Sequence, residues 1–242
     1  MKTAAVILAR AGSRGLPGKN VRDVAGRPCV AWTIEHAQRA RSIDRVVVSS
    51  DDDRALEVGR SMGAQTIERP PGLAGASATV DAAARHAVTE LDDGAIDAVA
   101  ILYANVPVRP ADLTDRVVGV VRGGGLDSAQ SYAPVGKHHP WWMVVVDEAT
   151  GGVRPWEGEV MNHGVFRRQD LPPAHVPDGG ALVVTRAALF LEVAGAGEGP
   201  HAFLGARRGG VVTGAGEVVD IDDEADARVA EAILGARAGA GA

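Results

Sequence analysis

The sequence holds one cysteine, Cys29, in 242 residues, so no internal disulfide is available and the chain suits a reducing compartment. Cys29 is expected as a buried, inert thiol. Lysine is nearly as scarce: Lys2, Lys19 and Lys137 are the only three among 25 basic residues, and the rest are arginine. Basic runs are missing and the formal net charge is −6, which argues against a nucleic-acid partner while leaving local cations for a small anion. No apolar stretch approaches the ~20 residues of a membrane-spanning helix. The apolar run at 4–9 breaks at Arg10, too short for a secretory signal, and a cytoplasmic protein is expected. The histidines lack metal-ligand spacing and no G-x-S-x-G elbow occurs, so neither zinc nor a serine triad has a foothold.

What is present supports a full core. Apolar residues make up 46% of the chain, enough for one large α/β domain, 1–242. Short apolar or β-branched runs at 4–9, 45–50, 65–69 and 98–103 read as strands buried on both faces. Between them, helical stripes begin at Val30 and run over 56–62, 80–91 and 113–122. This rhythm implies a doubly wound, mostly parallel sheet of Rossmann-like type. The pattern breaks over 128–176, where β-like runs at 129–135 and 142–146, a Thr150-Gly151-Gly152 turn, and three of the four tryptophans (Trp141, Trp142, Trp156) gather. These aromatics either pack a satellite core or line an oligomer interface. A strand at 181–184, a helix near 187–193, a strand at 218–221, a helix over 223–234 and a frayed tail complete the expectation.

Two groups carry chemistry. The first is A-R-A-G-S-R-G-L-P-G-K-N, residues 9–20, leaving the first strand where open α/β sheets bind ligands. It misses the P-loop pattern at both ends, with Ser13 in place of the first Gly and Asn20 in place of the Mg²⁺-holding Ser/Thr. Its glycines admit close approach of an anion to backbone N–H groups, and Arg10, Arg14 and Lys19 suit a polyphosphate. The second is V-D-I-D-D, residues 219–223. In a strand, Asp220 and Asp222 share one face, a pair suited to Mg²⁺. Alternatively Asp222 caps the following helix. A neighbouring polyphosphate loop favours the metal. The acidic run Asp51-Asp52-Asp53 reads as a helix cap.

Taken in order, the segments AVILARAGSRGLPGKN, AWTIEHA, DRVVVSSDD, ERPPGLAG, LYANVPVR, RRQDLPP, DGGAL and VDIDDEAD resemble the cytidylyltransferases that activate acidic sugars, the acylneuraminate cytidylyltransferase group, over nearly the whole chain. The resemblance implies a Mg²⁺-dependent enzyme that joins CTP to a small nonulosonate-like sugar, giving a CMP-sugar and pyrophosphate. It implies a homodimer built through the 128–176 insertion. By resemblance, Arg14 and Lys19 act catalytically on the phosphates. Arg10, Gly12, Ser13, Asn20 and Arg69 bind the nucleotide, and Asp220 and Asp222 hold the metal. Tyr103, Asn105, Arg109, Arg168, Gln169 and Asp178 fall on the sugar side. That side departs from the family: Tyr103 replaces a Gln, Trp142 a Lys and Val176 an Arg, and Asp178-Gly179-Gly180-Ala181 stands for N-G-A. Lost cations change which carboxylate-bearing sugar is accepted. The alternatives are a relative acting on another sugar or nucleotide, and a nucleotide-binding homologue without catalysis.

Overall fold

The computed structural model describes residues 1–12, 15–75, 78–91 and 94–240. The chain opens with β1 (Thr3–Ala9), a small hairpin of β2 (Asp23–Val24) and β3 (Arg27–Pro28), and helix α1 (Cys29–Arg39). It continues through β4 (Arg45–Ser50), α2 (Asp53–Ser61), β5 (Gln65–Glu68), α3 (Val80–Glu90), β6 (Ala98–Tyr103), α4 (Leu113–Gly124) and β7 (Ser128–Pro134). An excursion follows, holding the hairpin β8 (Val144–Val146) and β9 (Val153–Pro155). The chain then returns through β10 (His175–Thr185), α5 (Arg186–Leu189), β11 (Arg208–Val212) and α6 (Glu224–Ala240).

Seven strands form the central sheet in the order β11-β7-β10-β6-β1-β4-β5. β1 pairs in parallel with both β4 and β6, β4 with β5, and β11 with β7, while β10 runs antiparallel between β6 and β7. The sheet is therefore mostly parallel, with helices on both faces. Alternation along β1 explains the layering: Ala5, Ile7 and Ala9 pack with α1, α2 and α4, while Ala4, Val6 and Leu8 pack with α3 and α5. A third cluster seats α6 through Ala227, Ala230 and Leu234 against Val24, Cys29, Val108, Val219 and Ile221. Cys29 is fully buried, and burial pushes its thiol up to about 12, the inert state expected of it.

The break in rhythm begins later than the sequence suggests. β7 and β10 are sheet strands, so the insertion proper lies between Pro134 and His175. The helix expected near 187–193 is the four-residue α5. The strand expected at 218–221 is a single antiparallel bridge between Val219 and Val108. The tail expected to fray continues α6 as far as Ala240. β11 carries Gly209 and Gly210 and has no apolar run to announce it. No helix among the described residues is long and apolar enough to cross a membrane.

Candidate active site

A cleft of about 580 Å³ opens at the C-terminal ends of β1, β5 and β6. Parallel strands leave their loops on this edge, which is why ligands gather there. Arg10, Gly15, Lys19 and Asn20 of the glycine-rich loop line one wall, and Arg69 follows β5. Tyr103 and Asn105 come from the end of β6, Asp222 from the segment before α6, and Ala78, Thr79, Val80 and Ala83 from the start of α3. Ser13 and Arg14 lie outside the described residues. Gly12 is exposed with open space around it.

The loop and Arg69 are held by contacts to neighbouring strands and loops. The Asn20 amide nitrogen donates to Arg10 O at 2.8 Å, and its main-chain carbonyl accepts from Val30 N at the start of α1. Asn20 is 6% exposed, and its Oδ1 is buried without a hydrogen-bond partner. The Ala11 amide donates to Asp51 Oδ1 at 2.8 Å, so the acidic run does more than cap. The cap itself is Asp52, which accepts from Arg54 N. Arg69, 5% exposed, turns Nε and Nη2 onto Ser49 at 3.3 and 2.8 Å. Burial lowers its pKa, the Asp51 charge opposes that, and the neighbouring Arg10 adds a smaller lowering.

The acidic pair faces this loop. Lys19 Nζ donates to Asp222 Oδ1 at 2.7 Å and to Ile221 O at 2.8 Å, joining residues 203 and 202 positions apart. A Cβ added to Gly15 would lie 2.6 Å from Asp222 O, so only glycine fits this close passage. Asp222 does not cap α6: Asp223 Oδ1 accepts from Ala225 N and Asp226 N, and Asp226 accepts from the amides of Asp222 and Asp223. Asp222 is left with its carboxylate in the open cleft, 77% exposed. Asp220 is part-buried and accepts from Asn105 Nδ2. Burial, and then the Asp222 charge, push its carboxyl up to about 6, against the pull of Lys19 and Arg109. Two neighbouring carboxylates, one paired with Lys19 and one held by Asn105, suit a hard divalent cation, which needs only one or two carboxylates and completes its shell with water and phosphate oxygens. Among the described residues no cluster of three or more His, Cys, Asp or Glu that could hold a metal gathers anywhere, so this site offers the pair alone.

Several residues expected on the sugar side are otherwise engaged. Arg109 is 4% exposed, with its guanidinium bonded to main-chain carbonyls inside the fold, so it does not reach the cleft. Asp178 accepts from Ser131 Oγ, from Gly180 N at 2.9 Å and from Thr213 Oγ1 at 2.7 Å, bracing a register shift in β10. Arg168 and Gln169 sit on the exposed turn Arg168–Asp170 of the insertion and do not line the cleft. Trp142 donates Nε1 to Val165 O within the insertion, and Val176 is half-exposed on β10. Asn105 lines the cleft but spends its amide on Asp220 and Ile221 O. Tyr103 also lines it, and burial raises its phenol. The α3 residues were not foreseen, since Ala78 and Ala83 carry no polar group to mark them.

Residues 4–107 match the family model described as cytidylyltransferase. The chain is 34% identical over 121 residues to a 3-deoxy-manno-octulosonate cytidylyltransferase of Anaeromyxobacter dehalogenans, covering 50% of this chain and 48% of that protein. It is 28% identical over 188 residues to an N-acylneuraminate cytidylyltransferase of Oncorhynchus mykiss, covering 77% of this chain and 42% of that one. The chain thus spans about half the length of the curated relatives it matches. In fold it is similar to a solved CMP:2-keto-3-deoxy-manno-octonic acid synthetase complexed with CTP, with TM-score 0.70, 18% identity, and coverage of 98% of this chain and 100% of that one.

Proposed function

We propose that the chain is a cytidylyltransferase that transfers the cytidylyl group of CTP to a hydroxyl of an acidic sugar, releasing pyrophosphate, a reading supported by the match of residues 4–107 to the cytidylyltransferase model. One observation carries the reading: a single cleft sets Arg10, Lys19 and Arg69 opposite Asp222, with Asn105 holding Asp220 behind it. Cations of the loop suit the triphosphate, and the sugar hydroxyl attacks the α-phosphate in line. Such transfers depend mainly on positioning and on neutralising charge at the phosphoryl group and the leaving pyrophosphate.

Lys19 and Arg10 would hold the phosphates, with Arg14 joining them from the loop. Asn20 takes a different part. One N–H of its amide is given to Arg10 O, and its Oδ1, buried at the cleft wall without a partner, is an acceptor. An acceptor repels phosphate oxygens and suits an N–H or O–H of the nucleoside. Arg69, pinned by two of its nitrogens, presents its remaining edge as a donor to the same nucleoside. Asp220 and Asp222 would hold Mg²⁺, which when bound neutralises phosphate charge and lowers the pKa of a hydroxyl beside it. The relatives named above act on acidic sugars, which supports that substrate class.

A panel of CTP, UTP, GTP and ATP with pyrophosphate detection tests the reading. Turnover is expected with CTP, Mg²⁺ and an acidic sugar, and Asp222→Asn is expected to remove it. Turnover with UTP or GTP in place of CTP would refute the cytidylyl assignment.

The insertion supports a second element of the proposal, a homodimer. Trp156, Val160 and Phe166 are 63%, 63% and 82% exposed, and Val144, Val146 and Val153 also stand in solvent. Large apolar side chains gathered on one excursion mark a contact surface.

A further inference from the structure

We propose that Arg109 is a positioning residue whose buried guanidinium holds, from one point, both chain segments that flank Asp220. Four of its five N–H donors are spent on the interior. Nε donates to Gly180 O at 2.6 Å, Nη2 to Tyr103 O at 2.9 Å, and Nη1 to Thr33 Oγ1 at 2.9 Å and to Val106 O. No carboxylate forms an ion pair with it among the described residues. A lone buried cation is expensive unless dipoles satisfy it, so retaining one calls for a return elsewhere.

That return is visible in what the carbonyls belong to. Tyr103 and Val106 bracket Asn105, whose amide nitrogen donates to Asp220 Oδ1 and to Ile221 O. Gly180 follows Gly179, which sits at φ +74°, where an added Cβ would come within 3.3 Å of Asp220 Oδ2. One side of the Asp220 carboxylate therefore meets the 103–106 segment and the other meets the register shift of β10. Both are fastened to the same planar group. The main chain joins in: Val108 pairs with Val219, and Arg109 O accepts from Arg237 of α6 at 3.2 Å. A planar fork reaches carbonyls on two different segments at once. A lysine ammonium keeps the charge, but its donors radiate from one nitrogen and cannot span them.

The test is hydrogen–deuterium exchange and kinetics on Arg109→Lys, with Thr33→Val as a milder variant that removes the bond from Nη1 together with the Thr33 hydroxyl's own contacts to Tyr103 O and Val106 O. Arg109→Lys is expected to lose amide protection in 103–106 and 178–181 while β1, β4 and α2 keep theirs, and Thr33→Val to show a weaker version of that pattern. Unchanged protection in both segments, or a uniform loss across the sheet, would overturn the proposal. Its consequence for turnover rests on the cytidylyl-transfer reading: kcat is expected to fall about ten- to a hundredfold, with the Kd for CTP changing less than about threefold, since Arg10 and Arg69 are held through Gly75 O and Ser49, away from the segments that Arg109 ties. A parallel fall in kcat and affinity would also count against positioning. Absence of pyrophosphate release in the unaltered protein, with the exchange pattern as expected, would instead refute the function and leave the positioning role standing.

Discussion

Asp220 carries its charge at the expense of the fold. In the unfolded chain its carboxyl has the ordinary value of 3.8, and in the fold about 6. The sign follows: protonation is favoured in the folded state, so this stabilising contribution is full below the unfolded value and is lost as pH rises through about 6. At neutral pH the metal-free fold bears a cost of up to about 3 kcal/mol from this group. Asp220→Asn removes the charge and can still accept from Asn105. It is expected to melt higher than the unaltered protein at pH 8 in EDTA, with the gap closing towards pH 4, while losing Mg²⁺-dependent turnover. Equal melting temperatures at pH 8 would contradict the account. At this scale the sequence was partly legible. The spacing of Asp220 and Asp222 picked out the pair, although only one bridge, not a strand, carries it. Arg109 was misread because a sequence displays a charge and not its burial. Its neighbours Thr33 and Gly180 lie 76 and 71 positions away.

Elements hold these residues through contacts that glycine and histidine make visible. Gly15 passes Asp222 O so closely that Gly15→Ala must displace backbone from backbone. The expected outcome is at least a tenfold loss of CTP affinity by calorimetry, roughly 1.4 kcal/mol, with the thermal transition shifted little because the loop stands outside the core. Between α1 and α4, His36 Nε2 meets Thr114 Oγ1 at 2.8 Å, and burial, helped by Arg109, holds the ring down at about 3. Here the folded value lies below the unfolded 6.5, so stability is lost as pH falls through that range, by about 2 kcal/mol at pH 5. His36→Gln is expected to abolish that acid sensitivity in chemical denaturation. An unchanged pH dependence would show that the ring protonates in place. The parallel strands were legible because burial on both faces leaves unbroken apolar runs, as at 98–103. β11 was not, since its register is set by β7 and not by its own Arg208-Gly209-Gly210 start.

For the whole molecule, the sheet order brings Arg10, Gly15, Lys19 and Asn20 to one cleft with Asp222, and the insertion carries exposed apolar side chains. Light scattering is expected to give twice the chain mass, and Phe166→Asp combined with Val160→Asp a monomer that keeps its melting transition. A monomeric unaltered protein would refute the dimer. Such a surface was only half legible: the tryptophan cluster marked the region, yet Trp141 packs inward, stacking on His163 with ring centroids 4.8 Å apart. The central claim concerns the cleft. Phosphorus NMR of the protein with CTP, Mg²⁺ and either 3-deoxy-manno-octulosonate or N-acetylneuraminate measures it most directly. Free pyrophosphate and a new phosphodiester signal in equal amounts are the result expected for cytidylyl transfer. CTP left intact with both sugars, or cleaved to CMP with no phosphodiester, would contradict it.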